Sequence, residues 1–173
     1  ITPYDQPDHI WFITGSYRWE RGLVPYHDWI WQPRYKAPSA RIQPTAFATG
    51  CCLVFRMTVF DTIQGFDDRY FVYWEDADLS MQLKKKGMKV VTDTSLVCRH
   101  KVSSSTGGQF SPFTIYHGIR GHMLFVRKHY GTAALGYVVP MATAKMTLNV
   151  LLGRMRPQEI KPWISGLVSG LKN

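Results

Sequence analysis

The stretch "DDRYFVYWEDADL", residues 67–79, places a run of aromatic side chains directly before a cluster of acidic ones. Glu75, Asp76 and Asp78 would share one helical turn, where like charges repel unless something offsets them. The wider segment "EDADLSMQLKKKG" supplies an offset, because acids open it, lysines close it and Gly87 ends it. Both charge groups complement a helix dipole. The sequence therefore predicts a helix whose first turn carries several carboxylates.

Helical periodicity separates these carboxylates. At about 100° per residue, Asp76 shares a face with Leu79 and Leu83, whereas Asp78 lies on the opposite face. Asp78 is therefore predicted to be solvated. Asp76 is either an N-cap that accepts from backbone amides or a base held at the mouth of a pocket, and spacing alone favours the cap. Glu75 lies to one side and could cap, orient Asp76 or contact a ligand.

The segments on either side of this helix indicate a mixed α/β chain. Apolar residues 45–56 predict a buried strand with Gly50 inside it, where a missing side chain allows close approach. "MTVFDTIQG" predicts a short helix ending at Gly65. The pieces "MKVVT" and "SLVCRH" predict two further strands after the central helix.

The C-terminal third of the chain is predicted to be helical. A long helix should run from about Pro112 to Tyr130, and residues 132–153 should be helical but interrupted by Pro140. The last apolar segment, "WISGLVSGLKN", could lie in an interface or pack on the domain. These patterns predict two parts, a domain over 1–131 and a helical tail over 132–173.

Composition narrows the class of protein. The 173 residues are 45% hydrophobic and 19% charged, as in globular domains, with 21 Lys and Arg against 12 Asp and Glu, a formal net charge of +9. This charge favours nucleotide diphosphates, other polyanions or an anionic membrane face. Three cysteines make neither a disulfide framework nor a metal knuckle. Because the chain starts at Ile1, we expect an N-terminal part to be missing.

His100 ends the predicted strand "SLVCRH", on the face that carries Leu96 and Cys98. A single histidine in that position is more often a core or edge residue than a metal ligand. The hydroxyl-rich loop that follows, "KVSSSTGG", is typical of loops that close over phosphates or sugars, which favours a ligand role somewhat. Both interpretations of His100 stay open at this point.

The segment from Thr49 to His100 resembles the C-terminal half of family 2 GT-A glycosyltransferases, in particular bacterial rhamnosyltransferase-like members. It is similar in a strand running from a glycine to Arg56, a block from Gly65 to Leu79, a basic helix ending at Gly87, and a strand ending in His100. The helix "IYHGIRGHMLFVRKHYG" is also similar, although Gly121 stands where the family usually has Asn and His117 replaces a Tyr. The resemblance implies the acceptor-side half of a GT-A fold, a mixed sheet flanked by helices with a helical C-terminal extension.

Roles for individual residues follow from the resemblance. Asp76, assisted by Glu75, would be the general base that deprotonates the acceptor hydroxyl as it attacks the donor sugar with inversion. His100 would help to hold Mg²⁺ or Mn²⁺ on the nucleotide diphosphate, but in the family this also needs the Asp-x-Asp metal motif of the N-terminal half, which we expect to be missing here. The residues expected to bind the acceptor or sugar are Trp74, Tyr73, Gly50, Cys51, Arg56 and Asp78. The loop over the diphosphate would contain Ser103, Ser104 and Ser105.

The resemblance also implies partners and a location. The donor would be a nucleotide-diphosphate sugar, the acceptor a glycan or lipid-linked sugar, and no nucleic acid would bind. The positive charge and the apolar residues of 132–173 suggest peripheral contact with an anionic membrane, at the inner face of the cytoplasmic membrane. Two rivals remain: a non-catalytic carbohydrate- or membrane-binding module, and a nucleic-acid-binding domain, against which the acids at 75–78 argue.

Overall fold

The structure is a computed structural model that describes residues 1–63, 65–102, 107–108 and 110–172. It is a mixed α/β chain of small sheets and helices. The described chain forms two compact units, unit 1 (1–18, 25–69 and 75–102) and unit 2 (19–24, 70–74 and 103–173). This division differs from the predicted boundary after residue 131, which falls inside unit 2.

Unit 1 contains all the strands that the structure describes. They are β1 (Thr2–Pro3), β2 (Gly15–Tyr17), β3 (Pro25–His27), β4 (Ile42–Pro44), β5 (Val91–Asp93) and β6 (Arg99–His100). Among the described residues they form three two-stranded ladders, one parallel (β1 with β6) and two antiparallel (β2 with β3, β4 with β5). The mixed sheet that the sequence predicted is thus present only as separate short ladders.

The predicted strand over 45–56 is wrong. The amides of Thr45 and Ala46 donate to the backbone carbonyls of Val90 and Gly15, but two later amides are bonded by side chains instead of a ladder. The segment bends at Ala46 and turns at Gly50 and Cys51. The amide of Ala48 donates to Ser80 Oγ at 3.1 Å, and the amide of Gly50 donates to Asp76 Oδ2 at 2.8 Å. Phe47 and Ala48 are buried as predicted.

Both helices of unit 1 match their sequence signals. The first, α1 (Met57–Thr62), closes with the amide of Gly65 donating to the Phe60 carbonyl, and Gly65 has a φ of +77°. The second, α2 (Glu75–Lys85), ends before Gly87, whose φ of +73° is in the left-handed region that favours glycine. Leu79 and Leu83 pack with Ile63 in a buried cluster.

Unit 2 is built on three helices, α3 (Pro112–Tyr130), α4 (Thr132–Leu151) and α5 (Ile160–Lys172). The ends of α3 are those predicted: Ser111 Oγ accepts from the Thr114 amide at 3.1 Å, and Gly131 follows the last turn with a φ of +84°. Unlike the prediction, α4 continues through Pro140 without a break. No helix in the described ranges is long and apolar enough to cross a membrane.

Helix α5 packs closely on α3, which is one of the two alternatives for the C-terminal segment. Gly166 and Gly170 are buried at this contact. A Cβ at Gly166 would collide with the Tyr116 carbonyl oxygen, and one at Gly170 would lie 2.6 Å from the Arg120 carbonyl oxygen. The two glycines therefore let the helix backbones approach to a distance that larger residues would prevent.

Candidate functional site

The predicted acids Glu75 and Asp76 occupy the first turn of α2 in unit 1 and face the turn at Gly50. A Cβ on Gly50 would lie 3.5 Å from Asp76 Cβ and 3.6 Å from Glu75 Oε1. These are ordinary van der Waals distances, so both carboxylates lie directly against the backbone at Gly50. The structure thus brings together three of the residues that the sequence assigned to one site.

Asp76 accepts hydrogen bonds from two backbone amides. Its Oδ2 accepts from Gly50 at 2.8 Å and its Oδ1 accepts from Ala77 at 2.7 Å. The carboxylate therefore does hold backbone amides, but not as the predicted N-cap, because Asp76 is the second residue of α2. The bond from Gly50 ties the 45–50 segment to α2. A carboxylate has about four acceptor positions, so these two bonds leave positions that a ligand hydroxyl could use.

Burial shifts the proton affinity of both acids. Desolvation raises the pKa of Asp76, and the amide hydrogen bonds from Gly50 and Ala77 oppose that rise. Desolvation also raises the pKa of Glu75, and the neighbouring charge of Asp76 adds to the rise. Glu75 Oε2 is buried with no hydrogen-bond partner within the part of the chain that the structure describes. A buried oxygen of this kind is usually paired, which makes Glu75 a candidate to contact a ligand.

His27, which the sequence did not single out, is close enough to Asp76 for the two charges to interact. Its Nδ1–H donates to the Trp11 carbonyl at 2.9 Å, so the neutral ring carries its lone pair on Nε2. Burial lowers the pKa of His27, and the Asp76 carboxylate opposes that shift by attraction. The only sequence signal was the aromatic richness of residues 1–45, which does not pick out a particular histidine.

Trp11 connects His27 with His100. Its ring lies 4.6 Å from the His27 ring at 87° and 4.8 Å from the His100 ring at 53°. Burial lowers the pKa of His100 as well, so both imidazoles favour the neutral form. Trp11 therefore joins the two imidazoles in unit 1, and His27 is near enough to Asp76 for its charge to affect the pKa of the ring.

His100 does not make a metal site by itself. Across the described ranges, with their gaps at 64, 103–106 and 109, no group of three His, Cys, Asp or Glu side chains could hold a metal ion. A single imidazole is too small a donor set for Mg²⁺ or Mn²⁺, which prefer several oxygen ligands. The donors present here do not fit the cation without further ligands, and cation binding stays a prediction.

The structure corrects the prediction for Asp78. Its side chain is fully buried rather than solvated, and Gln82 Nε2 donates to its Oδ2 at 2.7 Å. The physical reason is that α2 is covered on more than one face, since Ala77, Ser80 and Met81 are buried as well. Direct contact of Asp78 with a sugar would require the residues that cover its side chain to move.

Trp74, which was predicted to bind the acceptor or sugar, is buried. In unit 2 its indole stacks on His122 at 4.7 Å and 9°, and Nε1–H donates to the Gly118 carbonyl at 2.8 Å. Only 9% of the residue is exposed. Tyr73 is half-buried, and its hydroxyl lies 3.1 Å from Thr114 Oγ1. Both residues have positive φ, 63° and 72°, which is uncommon for bulky side chains.

The other predicted contacts are distributed as follows. Gly50, Cys51 and Arg56 are exposed in unit 1 and are free to meet a ligand from solvent. The three serines expected over a diphosphate, Ser103, Ser104 and Ser105, lie outside the described residues. Their role stays a prediction.

Comparison with known proteins supports the class of relatives that the sequence indicated, namely rhamnosyltransferases. The chain is 30% identical over 107 residues to the N-acetylglucosaminyl-diphospho-decaprenol L-rhamnosyltransferase of two Mycobacterium tuberculosis strains. The match covers 62% of this chain and 35% of the relative, so the chain spans about a third of that protein's length. The resemblance recognised from residues 49–100 is confirmed.

A second kind of relative is the O-antigen biosynthesis protein RfbC of Myxococcus xanthus, 31% identical over 68 residues, which covers 39% of this chain and 5% of the relative. No family profile matches the chain. No solved structure matches it either.

Proposed function

We propose that the protein is an inverting family 2 glycosyltransferase that moves a sugar such as rhamnose from a nucleotide-diphosphate sugar to a polysaccharide or lipid-linked acceptor. This chain would supply the acceptor-side half of a GT-A fold and act in cell-surface glycan synthesis. The proposal draws on the named relatives, one of which carries out rhamnosyl transfer and one of which is named for O-antigen biosynthesis. It places the enzyme at the inner face of the cytoplasmic membrane.

The observation that carries the proposal is the pair of acids against Gly50. Glu75 has a buried oxygen without a partner, and Asp76 has acceptor positions left beside its two amide bonds. Burial raises the pKa of both carboxyls, which makes each a stronger base than an exposed carboxylate once it is ionised. Asp76 would take the acceptor proton, and Glu75 would orient the acceptor or the base.

His27 and Trp11 would position this base. The imidazole of His27 is held by its hydrogen bond to the Trp11 carbonyl. When the imidazole is protonated, it attracts the Asp76 carboxylate. Trp11 is half-buried between two imidazole rings, so part of its indole could also meet a sugar. Mg²⁺ or Mn²⁺ would neutralise the leaving diphosphate, with ligands beyond those this chain provides.

The test is Asp76→Asn in the full-length protein, assayed with nucleotide-diphosphate rhamnose and an N-acetylglucosaminyl-diphospho-polyprenol acceptor. Loss of general-base assistance lowers kcat by roughly 10²–10⁴-fold while the acceptor KM changes little. Asp61→Asn, an exposed acid on α1, is the matched control and keeps wild-type turnover.

Three outcomes would contradict the proposal. Full turnover in Asp76→Asn would remove the general base, and unchanged glycan binding with no turnover in the wild type would favour the non-catalytic binding module. A wild-type protein that transfers no sugar from any of a panel of nucleotide-diphosphate donors would exclude glycosyl transfer itself.

A further inference from the structure

Helix α4 carries a row of apolar side chains that its own packing leaves exposed. The buried side of the helix is formed by Ala134, Leu135 and Val138. The exposed side is 45% accessible at Tyr137, 53% at Leu148 and 78% at Leu151. Pro140 and Ala144 are exposed between them, and steps of three or four residues align all five positions on one face: 137, 140, 144, 148 and 151. Such a long continuous row is more than the scattered apolar residues of an ordinary surface.

The C-terminal half of this row borders a shallow, open groove of about 690 Å³. Its lining is aliphatic with two threonines: Val139, Pro140, Thr143, Ala144, Thr147, Leu148 and Leu151. A groove of this shape does not enclose a small molecule, because one side faces solvent along its length. It suits an extended apolar layer instead.

The charge around the row is positive. Residues 132–158 contain no Asp or Glu, whereas Lys145, Arg154 and Arg156 are exposed. Unit 2 as a whole has nine Lys and Arg against two acids, so it carries +7 of the chain's +9. A surface that combines apolar side chains with unopposed positive charge complements anionic lipid headgroups over acyl chains.

The structure distinguishes α4 from α5, the helix whose sequence pattern looks more amphipathic. The buried side of α5 is used against α3, where Gly166 and Gly170 allow close contact. Its amphipathic pattern is therefore explained by packing within unit 2. In the row on α4, Tyr137 meets the Trp19 ring at 6.0 Å, and Leu148 and Leu151 stay 53% and 78% exposed. Ile164 and Val168, four residues apart on α5, are exposed as well but form a shorter pair.

We infer that the exposed row of α4, with Lys145, Arg154 and Arg156, is a docking surface for an anionic lipid bilayer. The helix would lie in the membrane interface with Leu148 and Leu151 inserted among the upper acyl carbons, and the three basic side chains would contact phosphates. This inference names the surface that would contact the membrane. Which membrane it is rests on the proposed function, but binding does not depend on the chemistry of sugar transfer.

The experiment measures binding of the full-length protein to vesicles of phosphatidylglycerol mixed with phosphatidylcholine, by flotation. The double variant Leu148→Ser/Leu151→Ser lowers the partition coefficient at least tenfold, because two largely exposed leucines lose their insertion. The matched control Ile164→Ser/Val168→Ser on α5 stays within about twofold of wild type. Replacing Lys145, Arg154 and Arg156 by Gln weakens binding about fivefold per residue on anionic vesicles and leaves binding to pure phosphatidylcholine unchanged.

Three results would overturn the inference: a double variant that binds as wild type, an α5 control that loses as much, or a wild type that does not float at all. In the last case, a dimer that the leucine variant converts to a monomer would identify a second copy of the chain as the occupant. Assays with a short-chain, water-soluble acceptor separate this inference from the proposed function. There the α4 variant keeps its turnover and Asp76→Asn loses it, so either proposal can fail alone.

Discussion

The carboxylate of Asp76 accepts the backbone N–H of Gly50 at 2.8 Å and so fixes the start of α2 to the end of the 45–50 segment. Ser80, one turn further along the same helix, makes the second link. Its Oγ accepts from the Ala48 amide at 3.1 Å and donates to the Asp76 carbonyl at 2.8 Å. The geometry of the acids against Gly50 therefore depends on two helix side chains that replace the missing strand partner.

Ser80→Ala tests this dependence. The substitution leaves the buried Ala48 amide without an acceptor, which costs about 1–3 kcal/mol of unfolding free energy. Urea denaturation followed by tryptophan fluorescence measures the loss. Ser95→Ala is the control, because Ser95 Oγ donates to Asp93 at an exposed position, and its removal should cost less than about 0.5 kcal/mol. Equal costs for the two variants would mean that Ser80 does not support the segment.

Two glycines in α3, Gly118 and Gly121, have different surroundings. A Cβ at Gly121 would lie 2.5 Å from Trp74 Cδ1, whereas one at Gly118 would meet nothing within 4 Å. Gly121→Ala therefore overpacks the indole and destabilises the protein by about 1–3 kcal/mol. Gly118→Ala raises the stability by up to about 1 kcal/mol, since alanine favours a helix. Melting temperatures of the two variants should move in opposite directions, and a shared direction would contradict the contact.

The same contact explains a departure from the family pattern. The sequence showed only that Gly121 stands where the family usually has Asn. In unit 2 the Trp74 indole fills the space that a side chain at this position would need. Sequence reasoning could register the substitution but not its cause, because the two residues are 47 positions apart by number.

The elements that could be predicted from the sequence are those with local end signals. Helix α3 begins at Pro112, after the N-cap Ser111, and ends at Tyr130, before Gly131, so both signals lie next to the ends they set. The strand prediction for residues 45–56 was wrong because an apolar run predicts burial but does not show which groups bond its backbone amides. Here those groups include side chains on α2, from Asp76 and Ser80.

The candidate site divides along the same line. Glu75, Asp76 and Gly50 could be proposed from their motif, and the structure brings them together. The burial of Asp78 could not be predicted from the sequence, because helical periodicity assumes one covered face and α2 is covered on more than one. His27 and Trp11 join the site by tertiary contacts alone, for which the sequence carries no periodic signal.

Glu75→Gln tests the electrostatics of the acidic pair through pH. Because burial raises the folded-state pKa of Glu75 above its usual value of 4.5, ionisation of this residue opposes folding. The protonated carboxyl of Glu75 therefore favours the folded state. This contribution to the free energy of unfolding is fully present below pH 4.5 and is lost as the pH rises through the raised pKa. The Gln variant should therefore melt at a higher temperature than wild type at pH 7, and the difference should vanish below about pH 4.

The control for this prediction is Glu20→Gln, at an exposed position, which should leave the melting temperature unchanged at both pH values. A Glu75→Gln variant less stable than wild type at pH 7 would show that the ionised carboxylate has a favourable partner. The unpartnered Oε2 would then be satisfied in solution.

His122 gives a pH dependence of the opposite sign in unit 2. Its ring is 4% exposed, stacks on Trp74, and donates from Nε2–H to the Gly22 carbonyl at 2.7 Å. Burial lowers its pKa to about 4 from 6.5. A histidine with a lowered pKa contributes stability above pH 6.5 that is lost as the pH falls toward 4, here roughly 3 kcal/mol.

His122→Gln keeps a donor for Gly22 and removes the titration, so its unfolding free energy should change less over this range. Urea unfolding at closely spaced pH values measures the difference. His9→Gln, at a half-exposed position, should follow the wild-type curve, and a His122→Gln curve parallel to wild type would mean that the pKa of His122 is the same in the folded and unfolded states.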